Sequence, residues 1–218
     1  MKKLVVMASG GGTNMQAVMD ACESGFIPAR VAGLIVSRPD AYALNRAKNH
    51  GVDAMCIRRA DHQDAGLFDE AVCEALGAFE PDLIVLAGYL SILGPKVISR
   101  YRNRIINIHP SLMPAFCGPG FYGERVHQSV LDYGAKVSGA TVHFVDEGTD
   151  TGPVILQKPV CVHPEDDVYS LAQRVLKVEH ELLPLAVKYF VEGRIEVQGR
   201  KVTIRDCAYR RQKDSSFE

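Results

Sequence analysis

The chain has 218 residues, of which 47% are hydrophobic and 23% charged, with a formal net charge of −1. That is the balance of a soluble globular domain with one sizeable core. It excludes a strongly basic nucleic-acid binder or membrane-surface protein, and no apolar run approaches the ~20 residues that span a bilayer.

Residues 3–8 are a short apolar run that ends in glycines, so they read as a first strand rather than a signal peptide. Ser9-Gly10-Gly11-Gly12-Thr13-Asn14 follows, then a helical pattern through Cys22. Strand, glycine loop and helix together present backbone N–H groups to a phosphate. The loop lacks the Gly-Lys-Ser/Thr ending of a P-loop, and Met15 occupies the third glycine position of a dinucleotide fingerprint. A second strand over 31–37 ends in Ser37-Arg38 where a dinucleotide site wants an acid. These features favour a monophosphate cradle over a purely structural turn.

The pattern continues with a helix over 40–50 closed by Gly51, a strand over 52–57, and an amphipathic helix over 61–79. That helix is expected to turn Leu67, Ala71, Leu76 and Phe79 inward. The apolar run 83–88 reads as a strand buried on both faces of a parallel sheet. Alternation of this size is that of βαβ units, whose ligands sit beyond the strands' carboxyl ends. A strand at 105–109, a glycine-rich loop at 115–124 and a helix over 125–133 come next. Strands over 137–145 and 154–162 follow, Pro159 marking an edge. A long helix over 166–191 presents Leu171, Val175, Leu182 and Ala186 to the core. A hairpin over 194–205 and a loose polar tail end the chain. The expectation is one α/β domain over 1–218, with a Rossmann-like, mostly parallel sheet and helices on both faces. It divides near residue 100 into two lobes, 1–100 carrying the glycine loop and 101–205, with the tail at 206–218.

The chemistry concentrates at Asn107-Ile108-His109-Pro110. Alternate strand residues share a face, so Asn107 and His109 point the same way, and Pro110 ends the ladder. An amide donor beside an imidazole suits a reaction at a carbonyl group: Asn stabilises a developing oxyanion and His moves a proton. A capped strand end with a satisfied histidine is an equally good reading of this stretch alone. The six cysteines include no Cys-x-x-Cys pair, which favours free thiols in a reducing cytoplasm over disulfides or zinc. A zinc set of His109, His127, His143 and Cys117 matches no ligand spacing.

The glycine loop, Leu86-Ala87-Gly88-Tyr89, Asn107-Ile108-His109-Pro110-Ser111-Leu112, and Gly139-Ala140-Thr141-Val142-His143-Phe144-Val145 through Asp150-Thr151-Gly152-Pro153 occur in this order. In this the chain resembles the phosphoribosylglycinamide formyltransferases over nearly its whole length, to about residue 205. The resemblance implies the formyltransferase fold and a cytoplasmic monomer or homodimer acting on small molecules, without nucleic acid, membrane or metal. The implied reaction is transfer of a formyl group from the co-substrate 10-formyltetrahydrofolate to the amine of glycinamide ribonucleotide, in purine synthesis. It makes Asn107, His109 and Asp150 the catalytic trio, supported by Thr141 and His143. Gly12, Thr13, Asn14 and Glu179 would bind the nucleotide. Leu90, Ser91, Ile92, Leu93 and Asn107, with Asp146, Glu147, Gly148, Thr149 and Asp150, would line the folate pocket. Pairing with Asp150 is expected to raise the His109 pKa above its usual 6.5.

The chain departs from the family's commoner pattern in three places. Leu90-Ser91 stands where Met-Arg is usual, no arginine lies within 62–66, and the loop 116–123 is longer than the usual Pro-Gly turn. Three rival functions share parts of this pattern. Formyltetrahydrofolate hydrolases use the same trio but carry an N-terminal regulatory domain with no counterpart expected here. Methionyl-tRNA formyltransferases need a C-terminal nucleic-acid module. A non-catalytic nucleotide binder leaves the polar trio unexplained.

Overall fold

The computed structural model describes residues 1–206; the tail expected from 206 onward, and Cys207, lie outside the described residues apart from Asp206. Seven strands form one sheet: β1 (Lys2–Ala8), β2 (Ala29–Val36), β3 (Ala54–Cys56), β4 (Leu83–Leu86), β5 (Ile105–His109), β6 (Val137–Phe144) and β7 (Val154–Cys161). Their order is β3-β2-β1-β4-β5-β6-β7. The first five run parallel, and β6 and β7 are antiparallel additions. The chain reverses its direction of winding between β1 and β4, and a crevice opens there at the carboxyl ends of the strands. The glycine loop after β1 and Gly88 after β4 both reach that crevice, joined by the Ser9 N–H donating to the Gly88 carbonyl at 3.0 Å.

Strand periodicity sorts the core into two layers. Leu4, Val6 and Ala8 face one layer with Ile106, Ile108, Ala140, Val142 and Phe144. Helices α1 (Thr13–Glu23), α2 (Ala43–Asn49), α5 (Glu124–Tyr133) and α6 (Val168–Val191) pack there through Met15, Ala43, Val130 and Leu182. Val5 and Met7 face the other layer with α3 (Ala65–Phe79) and α4 (Pro95–Arg100). Asp167 caps α6 by accepting the Ser170 N–H at 2.7 Å, and the Ser170 hydroxyl accepts in return from the Asp167 N–H. Leu171, Val175, Leu182 and Ala186 of α6 are buried as expected. The β8 (Ile195–Gln198) and β9 (Lys201–Ile204) hairpin stands outside the main sheet. β7 is an edge strand, as Pro159 indicated. The five described cysteines are free.

Three local expectations are corrected. The helix expected over 61–79 is a 3-10 turn at Arg59–Asp61, then a break, then α3. Asp64 caps α3 by accepting the Leu67 N–H at 2.9 Å, which starts the helix later and turns Leu67 outward, 43% exposed. Phe68, Val72 and Leu76 form the buried face instead. The helix expected over 40–50 begins only at Ala43. Helix α4 was not expected at all. Its six residues carry no periodic signal, and it is held from outside by Asp69, whose carboxylate accepts from the N–H groups of Lys96 and Val97 at 2.7 and 3.3 Å.

Candidate active site

Two antiparallel neighbours build the centre. The β5–β6 register sets Asn107 opposite His143 and His109 opposite Thr141. Because Ile106 and Ile108 belong to the α1/α6 layer, these four polar side chains share the opposite face of the sheet. His143 is 2% exposed on its side chain. Its Nδ1 lies 2.8 Å from the Phe144 carbonyl and its Nε2 lies 3.1 Å from Asn107 Nδ2. The carbonyl can only accept, so Nδ1 carries the proton and Nε2 accepts from the Asn107 amide. One N–H of that amide is thereby held, and the other is free to donate.

Asp150 comes from the loop after β6. Gly152 lets that loop return, since a Cβ there would overlap the Phe144 carbonyl oxygen. Asp150 adopts φ 55, a left-handed conformation that Asp and Asn tolerate better than most residues. Its Oδ2 accepts the Gly118 N–H at 3.0 Å and lies 3.5 Å from His109 Nδ1. Its Oδ1 lies 3.7 Å from His143 Nε2. Thus the structure brings Asn107, His109 and Asp150 together around His143. The other ring nitrogen of His109, Nε2, donates to the Phe116 carbonyl at 2.9 Å.

The expected rise in the His109 pKa is corrected. Burial pushes it below the ordinary value, and the opposing pull of Asp150 and of the Phe116 carbonyl does not make up the difference. The ring is therefore neutral at pH 7, although both its nitrogens face acceptors that only the imidazolium satisfies together. For Asp150, burial favours the neutral acid, but the two neighbouring imidazoles and the Gly118 N–H outweigh it and hold the carboxyl below the usual range.

The residues expected to hold the nucleotide lie on the α1/α6 side of the sheet. Gly12 has φ 71, and an added Cβ would stand 2.8 Å from the Ala43 Cβ. The first bond of α1 runs from the Gln16 N–H to the Gly12 carbonyl, leaving the N–H groups of Thr13, Asn14 and Met15 without helical acceptors. Asn14 Nδ2 donates to Glu179 Oε2 at 2.6 Å. Glu179 is not a solvated helix-face residue: it is 8% exposed, and burial raises its pKa against the pull of Asn14. A cleft of about 280 Å³ runs beside this pair, lined also by Gly88, Pro110 and His127.

On the other side, Leu90 and Ile92 are 55% and 78% exposed, whereas Leu93 is buried. The Leu90 N–H donates to the Ser9 hydroxyl at 2.8 Å, and Ser91 is half-buried. Within 146–150, Asp150 is the residue whose side chain approaches His109 and His143. Asp146 accepts from the Gly148 N–H at 3.2 Å and the Thr151 hydroxyl at 2.5 Å, Glu147 pairs with Arg102, and Thr149 is exposed. Thr141, opposite His109 across the strands, directs its hydroxyl elsewhere. It donates to the Ser111 carbonyl at 2.6 Å and accepts from the Met113 N–H at 3.1 Å, pinning the chain just after His109. Among the described residues no His/Cys/Asp/Glu group is arranged to hold a metal ion.

Sequence reasoning missed two features. One is the backbone of the 116–118 segment, which contacts both His109 and Asp150. The other is His127, which is 5% exposed and has an unpartnered Nδ1. A histidine between Val126 and Val130 on the buried face of α5 was its available signal.

The sheet is open and mostly parallel, and an amide, an imidazole and a carboxylate gather at the carboxyl end of β5, one strand beyond its switch point, a combination suited to group transfer. The chain belongs to the formyl transferase family, whose model matches residues 2–187. Within it the chain is 43% identical to the phosphoribosylglycinamide formyltransferase of Mycobacterium tuberculosis, over 93% of this chain and 94% of that one. It is 40% identical to that of Haemophilus influenzae, over 91% of each. The crystal structure of glycinamide ribonucleotide transformylase 1 from Symbiobacterium toebii superposes with a TM-score of 0.89 at 45% identity, covering 94% of each chain.

Proposed function

We propose that this chain is a phosphoribosylglycinamide formyltransferase. It moves the formyl group of 10-formyltetrahydrofolate to the amine of N1-(5-phospho-D-ribosyl)glycinamide, releasing tetrahydrofolate and formylglycinamide ribonucleotide in purine biosynthesis. The observation that carries this reading is the convergence of Asn107, His109 and Asp150 at the end of β5, between two differently built faces. The α1/α6 side offers free N–H groups and the Asn14–Glu179 pair to a phosphorylated sugar. The opposite side offers the exposed apolar Leu90 and Ile92 to an aromatic pterin. The nucleotide is held by Gly12, Thr13, Asn14 and Glu179, and the folate lies along Leu90 to Leu93 and the loop 146–150. Residues 1–100 then form the nucleotide-binding lobe, with Leu90 to Leu93 at its folate-facing rim, and 101–205 the catalytic and folate-binding lobe, to which Glu179 adds a nucleotide contact.

The neutral amine attacks the formyl carbon, and the free N–H of the Asn107 amide donates to the oxygen that becomes negative. One such donor contributes about 3–4 kcal/mol to the transition state. His109, neutral at rest, takes the proton the amine must lose, and the resulting imidazolium is met by Asp150. The same proton then passes to the folate nitrogen as its bond to the formyl carbon breaks. For Nε2 to act as the base, the ring's resting proton must sit on Nδ1, facing Asp150, and the Phe116 carbonyl must release Nε2, so the ring changes tautomer and the 116–123 loop moves during the cycle. No step calls for a metal. The protein acts in the cytoplasm on small molecules alone, without nucleic acid or membrane, as a monomer or homodimer.

The test is release of tetrahydrofolate by the purified protein with and without glycinamide ribonucleotide, with the product identified by mass. Release that depends on the nucleotide and yields the formylated product supports the reading. Equal release in its absence makes the protein a hydrolase and overturns it.

A further inference from the structure

The glycine loop is shaped by a side chain that lies outside it. Arg46, half-buried on α2, donates from Nε to the Gly11 carbonyl at 2.8 Å and from Nη1 to Gln16 Oε1 at 3.1 Å. One residue back along the loop, the Gly10 carbonyl accepts the Ala43 N–H at 3.1 Å. Two successive carbonyls of the loop are thus tied to α2. A trans peptide is planar, with its C=O and the following N–H pointing in opposite directions. Fixing the Gly10 and Gly11 carbonyls toward α2 therefore turns the Gly11 and Gly12 N–H groups away from it. They join the unpaired N–H groups of Thr13, Asn14 and Met15 at the start of α1. Successive outward N–H groups of this kind form a concave anion site.

Arg46 is itself held in place. Its guanidinium lies over the Tyr42 ring, 5.3 Å from the centroid. Its partner Gln16 is bonded to Asp20 at 2.7 Å and to His50 Nε2 at 2.9 Å, and His50 Nδ1 meets Glu23 at 2.5 Å. This network spans α1 and α2, so the orientation of the loop depends on how the two helices are joined, and not on the glycines alone.

We propose that Arg46 is a positioning residue for the substrate's phosphate, aiming the backbone of the glycine loop at it rather than reacting with the substrate. The proposal deepens the reading that the glycine loop holds the phosphate, and rests on it. Arg46 bears on the phosphorylated end of the nucleotide only, leaving the formyl donor and the chemical step untouched.

The experiment uses Arg46→Met and Arg46→Lys in the full chain. It measures KM and kcat for glycinamide ribonucleotide and for the same riboside without phosphate, and inhibition by inorganic phosphate. Arg46→Met is expected to raise KM for the phosphorylated substrate about tenfold or more, and to weaken phosphate inhibition in step. The kcat, the KM for the formyl donor and kcat/KM for the riboside should stay within about twofold. Arg46→Lys keeps the charge, but its single ammonium cannot reproduce the two-pronged hold on Gly11 and Gln16, so it should recover only part of the loss. Unchanged KM in Arg46→Met overturns the proposal. So does an equal loss with both substrates, which means general disruption, or full recovery in Arg46→Lys, which means charge alone matters. If Arg46→Met does not fold, Gln16→Ala removes the acceptor that steadies Nη1 and should raise the same KM by a smaller factor; no change there is equally fatal. A wild-type protein that ignores inorganic phosphate and uses both substrates equally would instead refute the underlying phosphate-loop reading.

Discussion

Asp150→Asn removes a charge while preserving the shape of the centre. Asn tolerates the left-handed conformation that Asp150 adopts at φ 55, and its amide oxygen can still accept the Gly118 N–H. In the proposed mechanism, what disappears is the attraction for the imidazolium formed at His109. At 3.5 Å and an effective dielectric of about 20, that attraction is about 5 kcal/mol, or between three and four decades of rate. The Asp150 side chain is 11% exposed, which admits some screening, so the expected fall in kcat is about 10²–10³-fold. The KM for the nucleotide should hardly change, because the lost interaction belongs to the transition state. The His109 pKa, already lowered by burial, loses its main opposing influence. The acid limb of the kcat/KM profile should therefore move to lower pH in the variant. Progress of folate release with wild type, Asp150→Asn, His109→Ala and the double variant completes a cycle. The double variant should lose far less than the two single losses added. Fully additive losses, or an acid limb that moves to higher pH, would refute a coupled pair.

Two further expectations follow from the same geometry. Hydrogen exchange should divide the 116–123 loop: the amides of Gly118, bonded to Asp150, and Phe121, bonded to the Gly118 carbonyl, should be protected, while those of Gly120, Tyr122 and Gly123 exchange quickly and slow when folate binds. Equal protection with and without folate would argue against movement of this loop in the cycle. His127 is held neutral down to about 4, chiefly by burial and also by His109, against about 6.5 in the unfolded chain. The unfolded state binds the extra proton, so this contribution is full above pH 6.5 and is lost as pH falls toward 4. Its upper bound is about 3 kcal/mol. Denaturant midpoints of wild type and His127→Gln should differ most near neutrality and converge in acid; a constant difference across pH 4–7 would show that His127 keeps its proton in the fold.

The residues by themselves determined the class of fold and pointed to the end of β5 as the place where polar side chains gather. Local signals carry that information: apolar runs between glycines, the period-2 alternation at Asn107 and His109, and Pro110 ending the strand. The long helix was equally legible, because four inward positions at helical spacing and an acidic cap speak for themselves. Only the tertiary structure decided what depends on distant pieces of chain. Helix α4 exists because Asp69 of another helix caps it, and Leu67 faces water because Asp64 sets the start of α3. Glu179 is buried against Asn14 instead of solvated, and Arg46 reaches the Gly11 carbonyl from a neighbouring helix. The sign of the His109 shift was likewise beyond the sequence. A carboxylate partner can be inferred from a motif, but whether its attraction exceeds the cost of burying a charged ring depends on a separation and a degree of burial that only the folded chain sets.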